Sequence, residues 1–286
     1  MVESPHTQPL PRIGNPSRKT IPKGRLLIGG KWVDAQADET MEVLDPTTEA
    51  VITQVQNASA VDANLAIETA YAAFEAGPWG KMRYEDRAKI LLKMADLMDE
   101  TADDFAIREA MYMGMPYTDF RNIIMPHCSG LFRFYAGQAM AHMDGGYRTS
   151  YESNIRILTR REPLGVVGAI TPWNFPLALT ASKVAQGLAA GNCIIYKPAS
   201  DTPLTALALA RVALDAGVPD GAYKVITGPG GAEGDALVKS KRVDKIAFTG
   251  SSDRGRHEPD QERCGYHQAP DDGAGRQVPQ HHLCRR

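Results

Sequence analysis

Four short segments combine glycine, proline, hydroxyl and lysine side chains in a way suited to binding a nucleotide. They are Thr171-Pro-Trp-Asn-Phe-Pro176, Lys197-Pro-Ala-Ser-Asp201, Gly228-Pro-Gly-Gly231 and Thr249-Gly-Ser-Ser252. Glycine allows close backbone approach to a ligand, N–H groups at helix N-termini attract phosphate, and Lys197 can donate to a ribose hydroxyl. These segments therefore predict a nucleotide site. Ordinary turns are an equally weighted interpretation, because Gly and Pro are common in turns and no Gly-x-Gly-x-x-Gly sequence occurs.

The elements around these segments alternate between apolar strands and helices. Buried strands are predicted at 165–171, 192–197, 223–227 and 243–248, and helices at 176–190, 202–216 and 231–240. This β-α-β-α-β-α-β order favours an α/β fold with a doubly wound parallel sheet and flanking helices. Right-handed crossovers place all four segments at the carboxyl edge of such a sheet, where ligands bind.

The preceding part of the chain predicts two hairpins and a run of helices. The first hairpin turns at Gly29-Gly30 and the second at Asp45-Pro46. Ser59 and Asp62 have the spacing of a capping box at the start of a helix. Further helices are predicted over 84–98, 103–113 and 119–143, with Pro126 interrupting the last of them.

Composition excludes several classes of function. The 286 residues suggest about two domains, and the net charge of −2 makes nucleic acid a poor partner. No apolar run approaches the roughly 20 residues of a membrane helix, so no membrane partner is expected. The four cysteines are irregularly spaced and indicate no disulfide framework, which favours a reducing, cytoplasmic location. Residues 1–23 are polar and rich in proline, and are predicted to be a disordered leader.

Several of these motifs together resemble the aldehyde dehydrogenase superfamily. The matching blocks are Ile170-Thr-Pro-Trp-Asn-Phe-Pro176, Gly187-Leu-Ala-Ala-Gly-Asn192, Lys197-Pro-Ala199, Thr202-Pro-Leu204 and Phe248-Thr-Gly-Ser251. Their order and spacing make the resemblance specific over residues 24–253. It implies an aldehyde-dehydrogenase-like fold, with a Rossmann-type parallel sheet and flanking helices.

The resemblance also implies a reaction. Members of the family oxidise an aldehyde substrate to a carboxylic acid with NAD or NADP. A Cys thiolate attacks the aldehyde, hydride passes to the nicotinamide, and a Glu-activated water hydrolyses the thioester. Homo-oligomers are expected for full-length relatives.

Individual side chains acquire roles through the same resemblance. Asn174 resembles the amide that donates to the developing oxyanion, with a cap for the following helix as the structural alternative. Lys183 resembles a lysine with a supporting charge role, and a structural lysine is equally weighted. The residues that resemble cofactor contacts are Ile170, Thr171, Pro172, Trp173, Lys197, Ala199, Ser200, Gly230, Gly234, Phe248, Thr249, Gly250 and Ser251.

One cofactor residue departs from the family pattern. NAD-preferring members usually carry Glu at the position of Ser200, where a carboxylate accepts from the ribose 2′-hydroxyl and repels a 2′-phosphate. Because Ser200 is small and neutral, the sequence predicts that NADP is tolerated, which gives dual or NADP-leaning use.

The family's general-base Glu, in a Glu-Leu-Gly-Gly-Lys motif, and its nucleophilic Cys have no counterparts in this sequence. Cys128 precedes the nucleotide fold and Cys193 lies on an interior strand, so both are interpreted as buried structural thiols. The catalytic domain is therefore predicted to be missing, and the chain to be inactive in aldehyde oxidation. The alternative function is a non-catalytic nucleotide-binding module.

Residues 254–286 differ in composition from the body of the chain. They hold four of the seven histidines and little apolar material, which predicts disorder. With a suitable choice of synonymous codons, one DNA segment can encode Gln268 to Leu283 in one reading frame and a second peptide in a shifted frame. That second peptide reads Lys-Arg-Leu-Thr-Met-Glu-Leu-Gly-Gly-Lys-Ser-Pro-Asn-Ile-Ile-Phe. We therefore expect a frameshift near Asp253, after an incomplete NAD(P)-binding domain at 24–253.

Zinc binding is a weaker alternative for this tail. The candidate ligands are Cys264, His267, His281, His282 and Cys284, whose spacing is only loosely similar to that of zinc sites. A frameshift accounts for the same composition without any metal, so no metal site is predicted.

Overall fold

A seven-stranded sheet forms the centre of the structure, a computed structural model that describes residues 20–142, 146–149, 155–159, 161–250 and 282–283. Its strands are β1 (Leu26–Ile28), β2 (Lys31–Val33), β7 (Val166–Ile170), β8 (Cys193–Lys197), β9 (Tyr223–Val225), β10 (Lys245–Phe248) and β11 (His282–Leu283). Two separate hairpins are formed by β3 (Thr40–Leu44) with β4 (Val51–Gln56), and by β5 (Gly146–Thr149) with β6 (Arg156–Thr159).

Four strands at the centre of the sheet run parallel. The strand order is β11-β10-β7-β8-β9-β1-β2, and β10, β7, β8 and β9 are the parallel strands. The chain steps outward from β7 through β8 to β9, and then crosses to β10 on the other side of β7. This reversal makes the carboxyl ends of β7 and β10 the topological switch point, where α/β sheets bind ligands. The predicted doubly wound arrangement is confirmed for these four strands.

The whole sheet is mixed rather than parallel, because the first hairpin extends it. β1 pairs antiparallel with β2 and also with β9, where Leu27 faces Val225. The turn uses Gly29 and Gly30 at φ 59° and 78°, the positive-φ pair that a type I′ turn requires. The hairpin was predictable from local residues. Its pairing with β9 was not, since it joins distant parts of the chain.

Helices cover both faces of the sheet. They are α1 (Ala60–Ala76), α2 (Tyr84–Glu100), α3 (Ala102–Met113), α4 (Tyr117–Asp119), α5 (Met125–His142), α6 (Pro176–Ala189), α7 (Leu204–Ala216) and α8 (Ala232–Lys239). α1 and α8 pack together on one face, and α6 and α7 pack on the other. α2, α3 and α5 pack against α6 and α7 and form a further layer.

Two helical features that were predicted from local residues are found in the structure. Ser59 Oγ accepts from Asp62 N, and Asp62 Oδ2 accepts from Ser59 N at 2.8 Å, so the predicted capping box is confirmed. The interruption predicted at Pro126 takes the form of a π-turn at Phe120–Ile124, between α4 and α5. Pro126 is the second residue of α5, which continues directly from the π-turn, so the wider turn lies where the proline supplies no N–H to the preceding carbonyls.

The hydrophobic core is one cluster that extends from the sheet to the outer helices. Ile21 is buried in it, so the packed fold includes the end of the predicted leader. Of the predicted disordered tail, His282 and Leu283 are described, and they pair antiparallel with β10. Residues 1–19 and the other residues beyond Gly250 lie outside the described part of the chain.

Candidate functional site

The ends of three strands meet at the switch point. Ile170 pairs with Lys197 on β8 and with Phe248 on β10. Beyond the strands, Thr171 N donates to Lys197 O at 3.3 Å, and Thr249 N donates to Ile170 O at 3.0 Å. These backbone bonds hold the loops that follow β7, β8 and β10 side by side. The shared edge predicted from the sequence is therefore confirmed.

The ammonium group of Lys197 is buried at this edge. Its Nζ donates to Gly228 O at 2.9 Å and to Pro198 O at 3.0 Å, which joins the loop after β8 to the glycine loop after β9. Burial lowers the pKa of Lys197, while the carboxylates of Glu233 and Asp201 act in the opposite direction. Because an ammonium group has three donors, these two acceptors leave one N–H for a ligand hydroxyl.

The conformation of the glycine loop at 228–231 depends on residues that have no side chain. Gly230 has φ 101°, and a Cβ there would lie 3.4 Å from Lys197 Nζ. Glu233 is buried, and its Oε1 accepts from Gly230 N at 3.0 Å. A Cβ on Gly228 would lie only 1.8 Å from that same oxygen. The loop therefore leaves an open cradle beside the ammonium group, which larger residues would fill.

Thr249 places an unpaired hydroxyl at the same edge. Its Oγ1 is buried and has no hydrogen-bond partner among the described residues. Because a buried hydroxyl without a partner costs free energy, a ligand group that bonds to it would be favoured. The adjoining loops, strand ends and α8 carry the other predicted contacts, Pro172, Ala199, Ser200, Gly234, Phe248 and Gly250. Ser251 lies outside the described residues.

Asn174 lies in the turn between β7 and α6. Its carboxamide makes no hydrogen bond within the described part of the chain, so its N–H groups are available to a ligand. The N-cap of α6 is Phe175 and no side chain of the turn caps the helix, so the alternative of Asn174 as a helix cap is wrong. In the sequence Asn174 lies between Trp173 and Phe175, whose side chains are 58% and 46% exposed.

Lys183 is half-buried on α6, about two turns after the start of that helix at Pro176. Burial, and secondly the charge of Lys245, lower the pKa of Lys183 to about 8. No hydrogen bond or ion pair within the described residues holds its ammonium group. This environment suits a supporting charge as well as a structural lysine, so its role stays a prediction.

Two cysteines lie in the described part of the chain, and neither has the environment of a nucleophile. Cys128 and Cys193 are free and buried, and burial raises the pKa of both thiols. A thiol held neutral is a poor nucleophile, so the interpretation of both as structural residues agrees with their surroundings. Within the described residues no three His, Cys, Asp or Glu side chains form a group that could hold a metal ion. Cys264 and Cys284 lie outside those residues.

The sequence analysis missed a buried polar cluster beneath the Asn174 turn. Glu109 on α3 accepts from Leu177 N at the start of α6 and from the hydroxyls of Tyr112 and Thr205. The available signal was periodicity, because Glu109 lies on the same buried face of α3 as Phe105 and Tyr112. A carboxyl group on such a face needs buried partners.

The cradle, the buried ammonium group and the unpaired hydroxyl fit a dinucleotide at the carboxyl edge of the sheet. The fold and this arrangement define the class of the protein, a doubly wound α/β protein with a nucleotide-type site at its switch point. Within that class, the chain belongs to the aldehyde dehydrogenase family, whose model matches residues 32–261. The predicted family is therefore confirmed.

One curated relative shows the extent of the match. Over 244 residues the chain is 41% identical to "Aldehyde dehydrogenase family 2 member B4, mitochondrial" of Arabidopsis thaliana. The aligned region covers 85% of this chain and 45% of that protein. The chain thus spans about half the length of the curated relatives it matches.

Solved structures share the fold. An NAD-dependent aldehyde dehydrogenase from Sinorhizobium meliloti matches with a TM-score of 0.80 and 35% identity, over 85% of this chain and 48% of that one. Betaine aldehyde dehydrogenase from Staphylococcus aureus, solved in complex with NAD+, matches with a TM-score of 0.78 and 32% identity. This match covers 82% of this chain and 46% of that one. The predicted fold class is confirmed. Among the described residues, no helix has the length and apolar character needed to cross a membrane.

Proposed function

We propose that this chain carries the cofactor-binding half of an NAD(P)-dependent aldehyde dehydrogenase, which oxidises an aldehyde to a carboxylic acid. The observation that carries the proposal is the cluster at the switch point. There a buried Lys197 keeps one donor free, the glycine loop leaves a cradle, and the Thr249 hydroxyl has no partner. When bound, NAD(P) supplies the acceptor for the hydride that leaves the substrate carbon.

Different residues around this cluster are proposed to bind different parts of the cofactor. Lys197 donates its remaining N–H to a ribose hydroxyl, and the loop at 228–231 lets the cofactor approach the backbone. Thr249 offers its unpaired hydroxyl next to the end of β7. Ile170 to Trp173 form the neighbouring wall, where the exposed ring of Trp173 provides apolar surface.

Asn174 is proposed to stabilise the negative charge that develops on the aldehyde oxygen. Its amide N–H groups are not engaged elsewhere, and an amide can donate to an oxyanion whereas a carboxylate would repel it. Lys183, with a pKa of about 8, is mainly protonated at neutral pH and adds positive charge on α6, the helix that follows Asn174.

We further propose that the 286 residues do not complete the reaction alone. They contain neither a Glu-Leu-Gly-Gly-Lys segment nor a counterpart of the family's nucleophilic Cys. The shifted reading frame that overlaps the codons of residues 268–283 supports a frameshift near Asp253. The incomplete domain at 24–253 would then be followed by an aberrant tail. The alternative function, a non-catalytic nucleotide-binding module in the cytoplasm, uses the same switch-point site without the chemistry.

Calorimetric titration of the 286-residue chain with NAD and with NADP tests cofactor binding. We expect saturable binding that Lys197→Met weakens by about tenfold, because the substitution removes a charged donor. Lys89→Met is the matched control, since it removes an exposed lysine on α2. A folded chain that binds neither cofactor would contradict the proposal.

The same titration tests the preference between the cofactors. Ser200 Oγ donates to Asp201 Oδ1 at 3.2 Å and places no carboxylate of its own at this position. We expect wild type to bind NADP at least as well as NAD, and Ser200→Glu to shift the ratio of dissociation constants toward NAD by about tenfold. Ser200→Gln, of similar size but neutral, should leave the ratio near the wild-type value. A strong NAD preference in wild type would overturn this prediction.

A further inference from the structure

The helix that follows Asn174 begins without a cap of its own. Phe175 is the N-cap of α6, with φ 54° and ψ 56°, and its side chain makes no cap bond. This left-handed conformation is unfavourable for a bulky residue and persists only when the surroundings enforce it. Pro176 occupies the first helical position and has no N–H, so Leu177 N is the first donor that needs an acceptor.

A carboxylate from another helix accepts that donor. Glu109 Oε1, on α3, lies 2.9 Å from Leu177 N. The same oxygen accepts from Thr205 Oγ1 at 3.0 Å and from the Tyr112 hydroxyl at 3.3 Å. Glu109 is fully buried, and the Thr205 and Tyr112 hydroxyl oxygens are also in close contact with each other. The position of the carboxylate is therefore fixed by Tyr112 on α3 and Thr205 on α7, independently of its bond to α6.

Buried hydroxyls hold the backbone on the two sides of Asn174 as well. Thr180 Oγ1 lies 2.6 Å from Pro176 O and 2.7 Å from the Tyr196 hydroxyl. The Tyr196 hydroxyl in turn bonds to Thr171 Oγ1, three residues before Asn174. The turn is thus anchored before and after Asn174, while its carboxamide is left free.

We infer that Glu109 is a positioning residue, a remote N-cap of α6 that fixes the turn at Asn174 and Phe175 and so sets the direction of the Asn174 carboxamide. The importance of that direction for chemistry rests on the proposed function. The positioning itself rests only on the contacts of Glu109 with Leu177, Thr205 and Tyr112. It requires a hydrogen-bond acceptor at this place and does not require a charge.

This requirement separates two substitutions. The side-chain oxygen in Glu109→Gln can still accept from Leu177 N, whereas Glu109→Ala removes the acceptor. NMR of the 286-residue chain follows the side-chain amide signals of Asn174, assigned with Asn174→Ser, and the exchange rate of the Leu177 amide. We expect Glu109→Gln to keep the Asn174 signals and the Leu177 exchange rate near wild type. We expect Glu109→Ala to move the Asn174 signals and to speed Leu177 exchange about tenfold or more.

Glu75→Gln, an exposed acid on α1, is the matched control and should change neither signal. If Glu109→Ala does not fold, Thr205→Val replaces it, because that change removes one of the bonds that hold the carboxylate. Thr205→Val should then move the Asn174 signals by a smaller amount. Unmoved Asn174 signals in folded Glu109→Ala, or in Thr205→Val where it replaces that variant, would overturn the inference. Equal effects of Glu109→Gln and Glu109→Ala would overturn it as well. The result of the cofactor titration does not depend on these NMR signals. Failure of the proposed function can therefore be distinguished from failure of the inference about Glu109.

Discussion

Glu109 shows at the scale of one residue how burial changes a carboxyl group. Burial raises its pKa to about 7, although three hydrogen bonds act to lower it. The titratable side chains that face it are Tyr112 on α3, Cys128 on α5 and Tyr196 on β8, and burial raises the pKa of each. Those three stay neutral near pH 7, so Glu109 is the group of this cluster that titrates there.

We predict that the contribution of Glu109 to the free energy of unfolding falls as the pH rises from 4.5 to about 7. In this window the folded state keeps a proton on Glu109 that the unfolded chain has released, so rising pH favours unfolding. The pKa shift corresponds to about 3 kcal/mol. Urea unfolding of wild type and Glu109→Gln across this range measures the contribution as a difference. The exposed control Glu75→Gln should keep the wild-type slope, and a wild-type slope in Glu109→Gln would refute the prediction.

The residues of the site were predictable to different degrees. Lys197 and Gly230 could be predicted as candidates because each lies in a short contiguous motif whose chemistry is visible from its neighbours. The contacts of Glu109 were not predicted, since its partners Leu177 and Thr205 lie on other helices. Only the fold brings them together, so no local pattern could have indicated the cluster.

At the scale of elements, side chains from other helices hold both ends of α6. Glu109 accepts at its N-terminus, and at its C-terminus Arg87 of α2 donates from Nε to Ala189 O at 3.0 Å. Arg87 is fully buried, and its Nη1 also donates to Trp79 O at 3.1 Å. Its guanidinium carbon lies 5.3 Å from the centre of the Tyr84 ring. An acid at the start and a base at the end of a helix complement the helix dipole.

We predict that Arg87→Lys lowers the free energy of unfolding by about 3 kcal/mol, because an ammonium group cannot reproduce the bonds of the planar guanidinium to Ala189 O and Trp79 O. Urea unfolding measures the loss. Arg83→Lys is the matched control, as Arg83 is exposed and pairs with Glu85 at the surface, and it should change stability by less than about 0.5 kcal/mol. Equal stability of Arg87→Lys and wild type would show that the fork does not hold α6.

The elements themselves were largely predictable, because each carries its signal locally. Buried strands such as Val166–Ile170 are continuous apolar runs, and Gly191 ends the α6 segment with φ 85°. What the sequence did not predict is long-range pairing, as between β1 and β9, and the π-turn before Pro126. Both depend on tertiary packing, which overrides local preference.

At the scale of the whole molecule, the edge of the sheet beyond β10 bears on the proposed frameshift. In a doubly wound sheet of order β9-β8-β7-β10, a following parallel strand would lie beside β10. The residues described there are His282 and Leu283, which pair antiparallel with Phe248 and Ala247. The described part of the chain beyond Gly250 therefore supplies two paired residues and no further parallel strand.

We predict that sequencing the encoding DNA on both strands from the codon of Lys245 onward locates a one-base change near the codon of Asp253. Correcting that base should restore a reading frame that encodes the Glu-Leu-Gly-Gly-Lys segment.

The restored protein should reduce NAD(P) in the presence of an aldehyde, whereas the 286-residue chain should bind the cofactor without turnover. In the restored protein, Asn174→Ala should lower kcat by about 10² to 10³-fold, the cost of one oxyanion donor, while cofactor affinity stays unchanged. Turnover by the 286-residue chain itself would show that it contains a nucleophile and a base, and the non-catalytic reading of this chain would then be wrong.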